Sequence, residues 1–396
     1  MKKIRVGLLV GEFYSNSLPF NNGKGGYGML ARNYITEYIP NDNIEIDTII
    51  GFNKNNKELI HYCDGKKIIY LPKGRRSFIQ RFIYKLFKFD VNIYKIVKNY
   101  DIFISVEFSQ IAFKVLQVLQ NIKKSKLILY IQDPRTEEDW KELDTMQKYP
   151  QAGYRPNKNY QILLNKLFHQ KRLFAISQGN CLIKKAKELY KLPEHLNVDF
   201  VPNPIEIPNI PLTELESKQN NIVALGRLDS VKRPWIIGEI AKKLPTYNFY
   251  FLGQYHEDDM KKIMEPYTLL NNCHFLGHVE GFEKNRILRD SKILINTSIH
   301  EAIPISFLEA LAYGLLLVSN RNPDDITSKF GAHIPQINDD GLDSIESFAK
   351  EIKFIMENDE YRISIAKKGI DYINGNHSID NFVQKMRQQI FQTAKA

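Results

Sequence analysis

The sequence of 396 residues has few cysteines and no long apolar run. Its three cysteines, Cys63, Cys181 and Cys273, are far apart and show neither disulfide-like nor metal-like spacing, so a reducing cytoplasm is expected. The apolar run 6–10 is too short for a secretory signal, and nothing approaches the length of a transmembrane helix. We therefore expect a protein that is soluble or peripheral at the inner face of a membrane.

Other functional signatures are also missing. No Asp-x-Asp motif or His/Cys cluster has the spacing of a metal site, so neither a metal nor another cofactor is expected. The glycine-rich segment 23–28 lacks Walker spacing. No acidic residue stands at the carboxyl end of the second predicted strand, 44–50, where a dinucleotide-binding fold needs one to hold a ribose. A Rossmann oxidoreductase is therefore the poorer interpretation of the alternating pattern described next.

Buried-strand patterns alternate with helical patterns in two successive series, and 43% of the residues are hydrophobic, enough for two cores. Such alternation predicts an α/β fold with two doubly wound, mainly parallel sheets. The segment 202–221 carries four prolines and predicts the linker. After Asp343 the pattern is helical. The predicted divisions are an N-terminal domain at 1–205, a C-terminal domain at 206–378 and a final helix at 379–396.

The segment 297–314 carries the most informative pattern. Glu301 falls in a loop after an apolar strand, and Glu309 falls inside a short helix. Pro304 suits the first helical turn and Gly314 suits the residue just past the helix end. The helix therefore begins between the two glutamates, and its free amides favour a phosphate beside Glu301. Since a carboxylate there needs neutral donors such as sugar hydroxyls, the pattern indicates a ligand with both phosphate and sugar.

A second segment, 221–234, predicts a strand that leads into a glycine-containing loop with two cations. Arg227 offers a planar fork for phosphate oxygens, and Lys232 offers a mobile point charge. Taken alone, both could be solvated loop charges. Their order and spacing relative to Glu301 and Glu309 favour a shared anion site.

Together, G-R-L-x-x-x-K and E-x7-E resemble the donor-binding signature of family 4 retaining glycosyltransferases. The resemblance is strong over 221–320 and weaker before it. It implies the GT-B fold: two Rossmann-like domains facing a central cleft, with the C-terminal helix crossing back to the first domain. It also implies that Arg227 and Lys232 hold the donor diphosphate, that Glu301 contacts the transferred sugar, and that Glu309 binds the ribose. The residues implied to lie along the donor are Ala302, where the family usually has glycine, and Ile303, Pro304 and Ile305.

The N-terminal half offers weaker candidates. Gly25 and Gly26 precede a predicted helix and resemble the family loop that faces the donor phosphates, although a plain loop is equally compatible. Gln132 stands where many relatives have a histidine, and it can donate hydrogen bonds but cannot titrate. Asp133, like Arg135 and Glu107, is a candidate for substrate contacts or for capping and pairing. These residues are expected at the cleft edge of the sheet.

Charge is distributed unevenly. Residues 1–205 contain 33 Lys and Arg against 19 Asp and Glu, a net +14, and the remainder carries −4, giving the +10 of the whole chain. Within 73–88, apolar residues recur at helical spacing among basic ones, which is typical of an interfacial helix on an anionic membrane. A core-facing amphipathic helix fits the pattern equally well. No nucleic-acid module is recognisable, so nucleic acid is not expected as a partner.

These observations predict a retaining, metal-independent glycosyltransferase. It would move a sugar from a nucleotide-diphosphate sugar to a glycan or lipid-linked acceptor in cell-surface polysaccharide synthesis. A nucleotide-sugar hydrolase or 2-epimerase, or a catalytically silent nucleotide-sugar-binding protein, is the alternative. The sequence leaves the nucleotide base, the sugar, the acceptor and the oligomeric state undetermined.

Overall fold

The computed structural model describes residues 3–11, 26–51, 59–71, 79, 90–122, 124–146, 158–256, 258–335 and 340–396. They form two compact units. The first contains described residues of 1–136, 153–204 and 379–396, and the second contains those of 137–152 and 205–378. The elements below are numbered along the described chain.

The first unit is built on an eight-stranded sheet with the order β3-β4-β2-β1-β5-β6-β7-β8. All neighbouring strands are parallel except β3 and β4. The central strands are almost entirely apolar, as expected for a sheet covered on both faces. The strands are β1 (Ile4–Leu9), β2 (Ile44–Ile50), β3 (Ile60–Cys63), β4 (Lys66–Tyr70), β5 (Ile102–Val106), β6 (Lys126–Ile131), β7 (Leu173–Ser177) and β8 (Val198–Phe200).

Helices connect these strands. The first, α1, spans 26–38 and contains a π-helical stretch at Leu30–Ile35. The others that belong to this unit are α2 (Val91–Val97), α3 (Gln110–Leu119), α5 (Lys158–His169), α6 (Cys181–Tyr190) and the last helix, α15 (Ile379–Lys395).

The last helix returns to the first unit, as the fold prediction requires. Phe382, Met386 and Ile390 of α15 are fully buried in the core of the first sheet. Lys126 Nζ donates to Thr393 O at 2.8 Å, so that a strand of the sheet also holds the end of this helix. The apolar residues lie four apart, which places them on one helical face.

The second unit has a six-stranded parallel sheet with the order β11-β10-β9-β12-β13-β14. Its core combines apolar strand residues with the helices that cover them, including Phe249, Phe251 and Phe348. The strands are β9 (Asn221–Leu225), β10 (Asn248–Leu252), β11 (Cys273–Gly277), β12 (Ile293–Asn296), β13 (Leu316–Ser319) and β14 (Gly331–His333). The helices are α4 (Glu137–Met146), α7 (Leu212–Glu216), α8 (Pro234–Lys243), α9 (Asp258–Thr268), α10 (Gly281–Asp290), α11 (Ile305–Ala312), α12 (Ile326–Lys329), α13 (Ile345–Glu357) and α14 (Asp359–Asn376).

The division of the chain differs from the sequence prediction at α4. The sequence places this helix in the first domain, at 1–205, whereas it groups with the second unit. The reason is apolar packing: Trp140 and Leu143 of α4 are buried against Val231 and Ile299. The main boundary after Pro204 lies inside the predicted linker segment.

Candidate active site

The candidate active site lies at the carboxyl ends of β9 and β12, which are neighbours in the second sheet. The chain runs from β9 outward to β10 and β11, whereas β12, β13 and β14 lie on the other side of β9. Strand order therefore reverses between β9 and β12. In open parallel sheets, ligands bind in the crevice outside the carboxyl ends at such a point. The loops after these two strands carry Arg227, Lys232 and Glu301.

Hydrogen bonds join the two loops directly. Ile299 N donates to Val231 O at 2.8 Å. Thr297 Oγ1 donates to Lys232 O at 2.8 Å, and Thr297 O accepts from Arg233 Nε, also at 2.8 Å. The loops have no regular secondary structure, so these bonds and the local packing fix the positions of their side chains.

An ion pair crosses between the loops. Lys232 Nζ donates to Glu301 Oε1, and Asn296 Nδ2 donates to the same oxygen at 2.9 Å. The Glu301 side chain is 9% exposed, against 26% for Lys232. Burial acts to raise the pKa of Glu301, but the charge of Lys232 and the hydrogen bonds outweigh it and hold the pKa below its ordinary value. Glu301 is therefore an ionised acceptor beside a cation.

Arg227 extends from the first loop and is half exposed. Its Nε lies 3.3 Å from Asp229 Oδ2, and the buried Asp229 accepts a hydrogen bond from Lys232 N at 3.0 Å. One buried carboxylate thus organises both cations. The loop begins at Gly226, and a Cβ on Gly253 would lie 1.7 Å from Gly226 O, so only glycine fits at 253.

Helix α11 begins beside Glu301, as the sequence predicts. Pro304 is its N-cap residue, with an extended backbone, and no side chain caps the helix among the described residues. Its first amides are the groups that a helix leaves unbonded to its own carbonyls. Gly314 follows the helix end with a φ of +68°. Ala302, half-buried before α11, does not adopt a positive φ, so its methyl group causes no backbone strain there.

The second glutamate of the motif has a partner that the sequence does not reveal. Glu309 Oε1 accepts from Lys284 Nζ of α10 at 2.6 Å, and both side chains are about three-quarters buried. Lys284 belongs to no sequence motif. It meets Glu309 because α10 and α11 pack together, and the sequence does not specify that contact. Between them, Lys284 and Lys232 give each glutamate of the motif a cation.

The first unit holds Gln132 and Asp133 at the carboxyl end of β6. Their backbone amides donate to Glu107 Oε2 at 2.6 and 2.8 Å. Tyr190 Oη donates to the other oxygen of Glu107, whose φ is +55°. Burial raises the pKa of Glu107 despite these hydrogen bonds. The Asp133 side chain accepts from Arg135 Nε at 2.9 Å. Glu107 is therefore a buried anchor for this strand end.

Gln132 itself is buried in a network of amide side chains. Its Nε2 donates to Asn203 Oδ1 at 3.1 Å, and Asn203 Nδ2 donates to Gln132 Oε1 at 2.9 Å. Asn203 Nδ2 also donates to Gln178 Oε1 at 2.6 Å. Gln178 was not singled out from the sequence, and its place after β7 is the signal that would have found it. Together these side chains line the carboxyl ends of β6, β7 and β8.

Other predicted features fall partly outside the described residues. Gly25 lies outside them, and Gly26 is the first residue of α1. Of the segment 73–88 only Ile79 is described, as an exposed helical residue. In the part of the chain that the structure covers, no three His, Cys, Asp or Glu side chains are grouped as a metal would require. Metal independence stays a prediction.

Comparison with known proteins agrees with the predicted class. Residues 209–372 match the family model described as Glycosyl transferases group 1. A 104-residue stretch is 30% identical to the O-antigen biosynthesis glycosyltransferase WbnH of Escherichia coli. That stretch covers 26% of this chain and only 29% of the relative. The resemblance is therefore confirmed for the second unit, whereas the finer assignment to family 4 stays a prediction.

Solved structures extend the likeness to the whole fold. A glycosyltransferase from Rickettsia africae is 16% identical, has a TM-score of 0.67 and matches over 100% of both chains. The Anabaena protein HepE, solved with UDP and glucose, is 12% identical with a TM-score of 0.62 and covers 98% of this chain and 99% of its own. These likenesses confirm the predicted GT-B fold.

Proposed function

We propose that the protein is a retaining glycosyltransferase that needs no metal and uses a nucleotide-diphosphate sugar. One observation carries the proposal: a buried, ionised Glu301 is paired with Lys232 at the strand-order reversal, immediately before the uncapped start of α11. That site offers cations and free amides for a diphosphate, and carboxylate oxygens for sugar hydroxyls.

The proposed chemistry follows from these charges. Arg227 and Lys232, with the first amides of α11, stabilise the negative charge that grows on the departing diphosphate. Because the pKa of Glu301 is low, this residue stays ionised and accepts hydrogen bonds from the sugar rather than supplying a proton. In front-face attack, which the family resemblance implies, a donor phosphate oxygen takes the proton of the acceptor hydroxyl. Retention of the anomeric configuration would follow.

Glu309 is the proposed ribose ligand. One of its oxygens accepts from Lys284, and its second oxygen is the acceptor we assign to a ribose hydroxyl. Uridine is the first base to test because the Anabaena structure was solved with UDP and glucose.

The proposed acceptor is a glycan or lipid-linked precursor of a surface polysaccharide, in line with the O-antigen role in the name of the bacterial relative. We also propose that the protein is cytoplasmic and that its first unit faces an anionic membrane. In that unit a groove along α5 is lined by Lys158, Lys166, His169 and Lys191 around the exposed Ile162. This groove supports the membrane proposal, because basic side chains beside an exposed apolar one favour an anionic lipid surface. None of the described helices is long and apolar enough to span a bilayer.

The decisive experiment combines binding with turnover. A thermal-shift panel of UDP, GDP and their sugars comes first, since a ligand at ~100 times its Kd adds about 2.7 kcal/mol. The selected donor is then incubated with and without lipid-linked and oligosaccharide acceptors. Transfer only with an acceptor, giving an α-linked product from an α-linked donor, supports the proposal. Rapid donor breakdown or isomerisation without acceptor favours the hydrolase or epimerase, and binding without turnover favours a silent binding protein.

A further inference from the structure

Helix α4 follows β6 of the first unit along the chain but packs in the second unit. Its Trp140 and Leu143 are 6% and 1% exposed. They form a separate apolar cluster with Val231 and Ile299. These two partners belong to the loops that carry the ion pair described above.

The residues that α4 covers are the two through which the loops are bonded. Ile299 N donates to Val231 O at 2.8 Å. Val231 immediately precedes Lys232, and Ile299 lies two residues before Glu301. Packing on Val231 and Ile299 therefore fixes the backbones from which both charged side chains extend.

Polar contacts of α4 reach the same loop. Asp139 Oδ1 lies 3.5 Å from His300 Nδ1, and both side chains are buried. Glu142 Oε1 accepts from Arg321 at 2.6 Å, and Arg321 Nε donates to Ser298 O at 3.1 Å. Through these contacts α4 restrains three consecutive residues, 298–300, directly before Glu301.

We infer that α4 is a positioning element for the candidate active site, with Asp139, Trp140 and Leu143 as its positioning residues. The contacts given above join these three side chains to residues next to Lys232 and Glu301 rather than to the ion pair itself. They hold the loop pair so that the ammonium and the carboxylate meet at one place. The catalytic consequence rests on the proposed function, whereas the order of the loops does not. A displacement of ~1 Å in a preorganised site typically costs about 100-fold in rate.

Hydrogen–deuterium exchange tests the positional claim without any ligand. The variants are Leu143→Ala, Trp140→Ala and Asp139→Asn, with Trp140→Phe as the conservative rescue. Glu138→Gln, on the exposed face of the same helix, is the matched control. We expect the Ile299 amide to exchange at least about tenfold faster in Leu143→Ala and Trp140→Ala, with β9 and β10 unchanged. Unchanged exchange at Ile299, or an equal rise across the second unit, would overturn the inference.

A functional comparison then separates this inference from the proposed function. Calorimetry with UDP and UDP-N-acetylglucosamine, or the guanosine pair if the panel selects it, is run on the same variants. We expect a fall of about tenfold or more in kcat and in nucleotide-sugar affinity, with a smaller loss for the nucleotide alone. If the wild type binds no donor, the proposed function fails while the exchange result still decides the role of α4. Loosened loops with wild-type donor binding and turnover would refute the catalytic part.

Discussion

The ion pair between Lys232 and Glu301 predicts an asymmetric response to mutation. Glu301 is the more buried partner, since its side chain is 9% exposed against 26% for Lys232. Lys232→Met leaves a buried carboxylate with only the neutral donors Asn296 and Ser298 described beside it, and stranding a buried charge costs about 3–5 kcal/mol. Glu301→Gln leaves an ammonium that can turn towards water, so we expect only about 1 kcal/mol.

Calorimetric melting without ligand measures this difference. For a unit of roughly 200 residues, ~1 kcal/mol shifts Tm by about 2–4 °C. Lys232→Met should therefore lower the Tm of the second unit by about 6–20 °C at pH 7, and Glu301→Gln by about 2–4 °C. The double variant Lys232→Met, Glu301→Gln should recover part of the loss, because both charges are gone.

The direction in which stability changes with pH is a second test of the ion pair. In the wild type the folded pKa of Glu301 is depressed, so its contribution to stability is present above the unfolded value of about 4.3 and is lost as the pH falls through the folded pKa. Without Lys232, burial dominates and raises that pKa, so Lys232→Met should gain stability relative to wild type as the pH falls towards 5. Equal losses for the two single variants, or no relative gain at pH 5, would refute this account of the pair.

The remaining predictions concern ligands. Arg227→Ala should cut turnover by ~100-fold without lowering Tm, since it removes one preorganised charge from a half-exposed side chain, and Lys261→Ala is the matched control. Glu309→Ala should weaken the nucleoside diphosphate in calorimetry, whereas Glu301→Gln should weaken only the nucleotide sugar; equal loss of both ligands in the Glu301 variant would contradict the division of roles. Turnover should survive excess EDTA, and strict dependence on magnesium would oppose the proposed mechanism. Vesicles with anionic lipids should sediment the protein at low salt and release it at high salt, and replacing the cations of 73–88 by serine should abolish this binding; a wild type that does not sediment would refute the membrane proposal.

Periodicity predicted most of the fold because strands buried on both faces read as continuous apolar runs. It missed β3, although Asp64 and Gly65, with φ of +49° and +74°, form the kind of turn that marks a hairpin. The strand itself, Ile60–Cys63, is only four residues long and largely exposed, which is too short for a clear periodic signal. β14 is only three residues long and likewise carries no periodic signal.

The candidate site likewise contains residues that the sequence indicated and a residue that it did not. Backbone signals, a glycine after a strand and a proline before a helix, predicted that Arg227, Lys232 and Glu301 stand in loops after strands and that Glu309 stands in the following helix, and the structure has them there. The partner of Glu309 was not found, because Lys284 meets Glu309 only through the packing of two helices. A sequence pattern identifies which groups stand at a strand end, but not which charge neutralises each of them.

Helix α4 shows why domain boundaries were harder to predict than elements. Its Trp140 and Leu143 are apolar and have to be covered, but any apolar surface could cover them. The choice of the second unit depends on Val231 and Ile299, two loop residues that are apolar although they lie between polar neighbours. An apolar residue in a polar loop is a sign that something packs over that loop. Here the covering element is α4, whose chain neighbours belong to the first unit, so the loop pair that carries Lys232 and Glu301 depends on a segment that lies outside the continuous stretch 205–378 of the second unit.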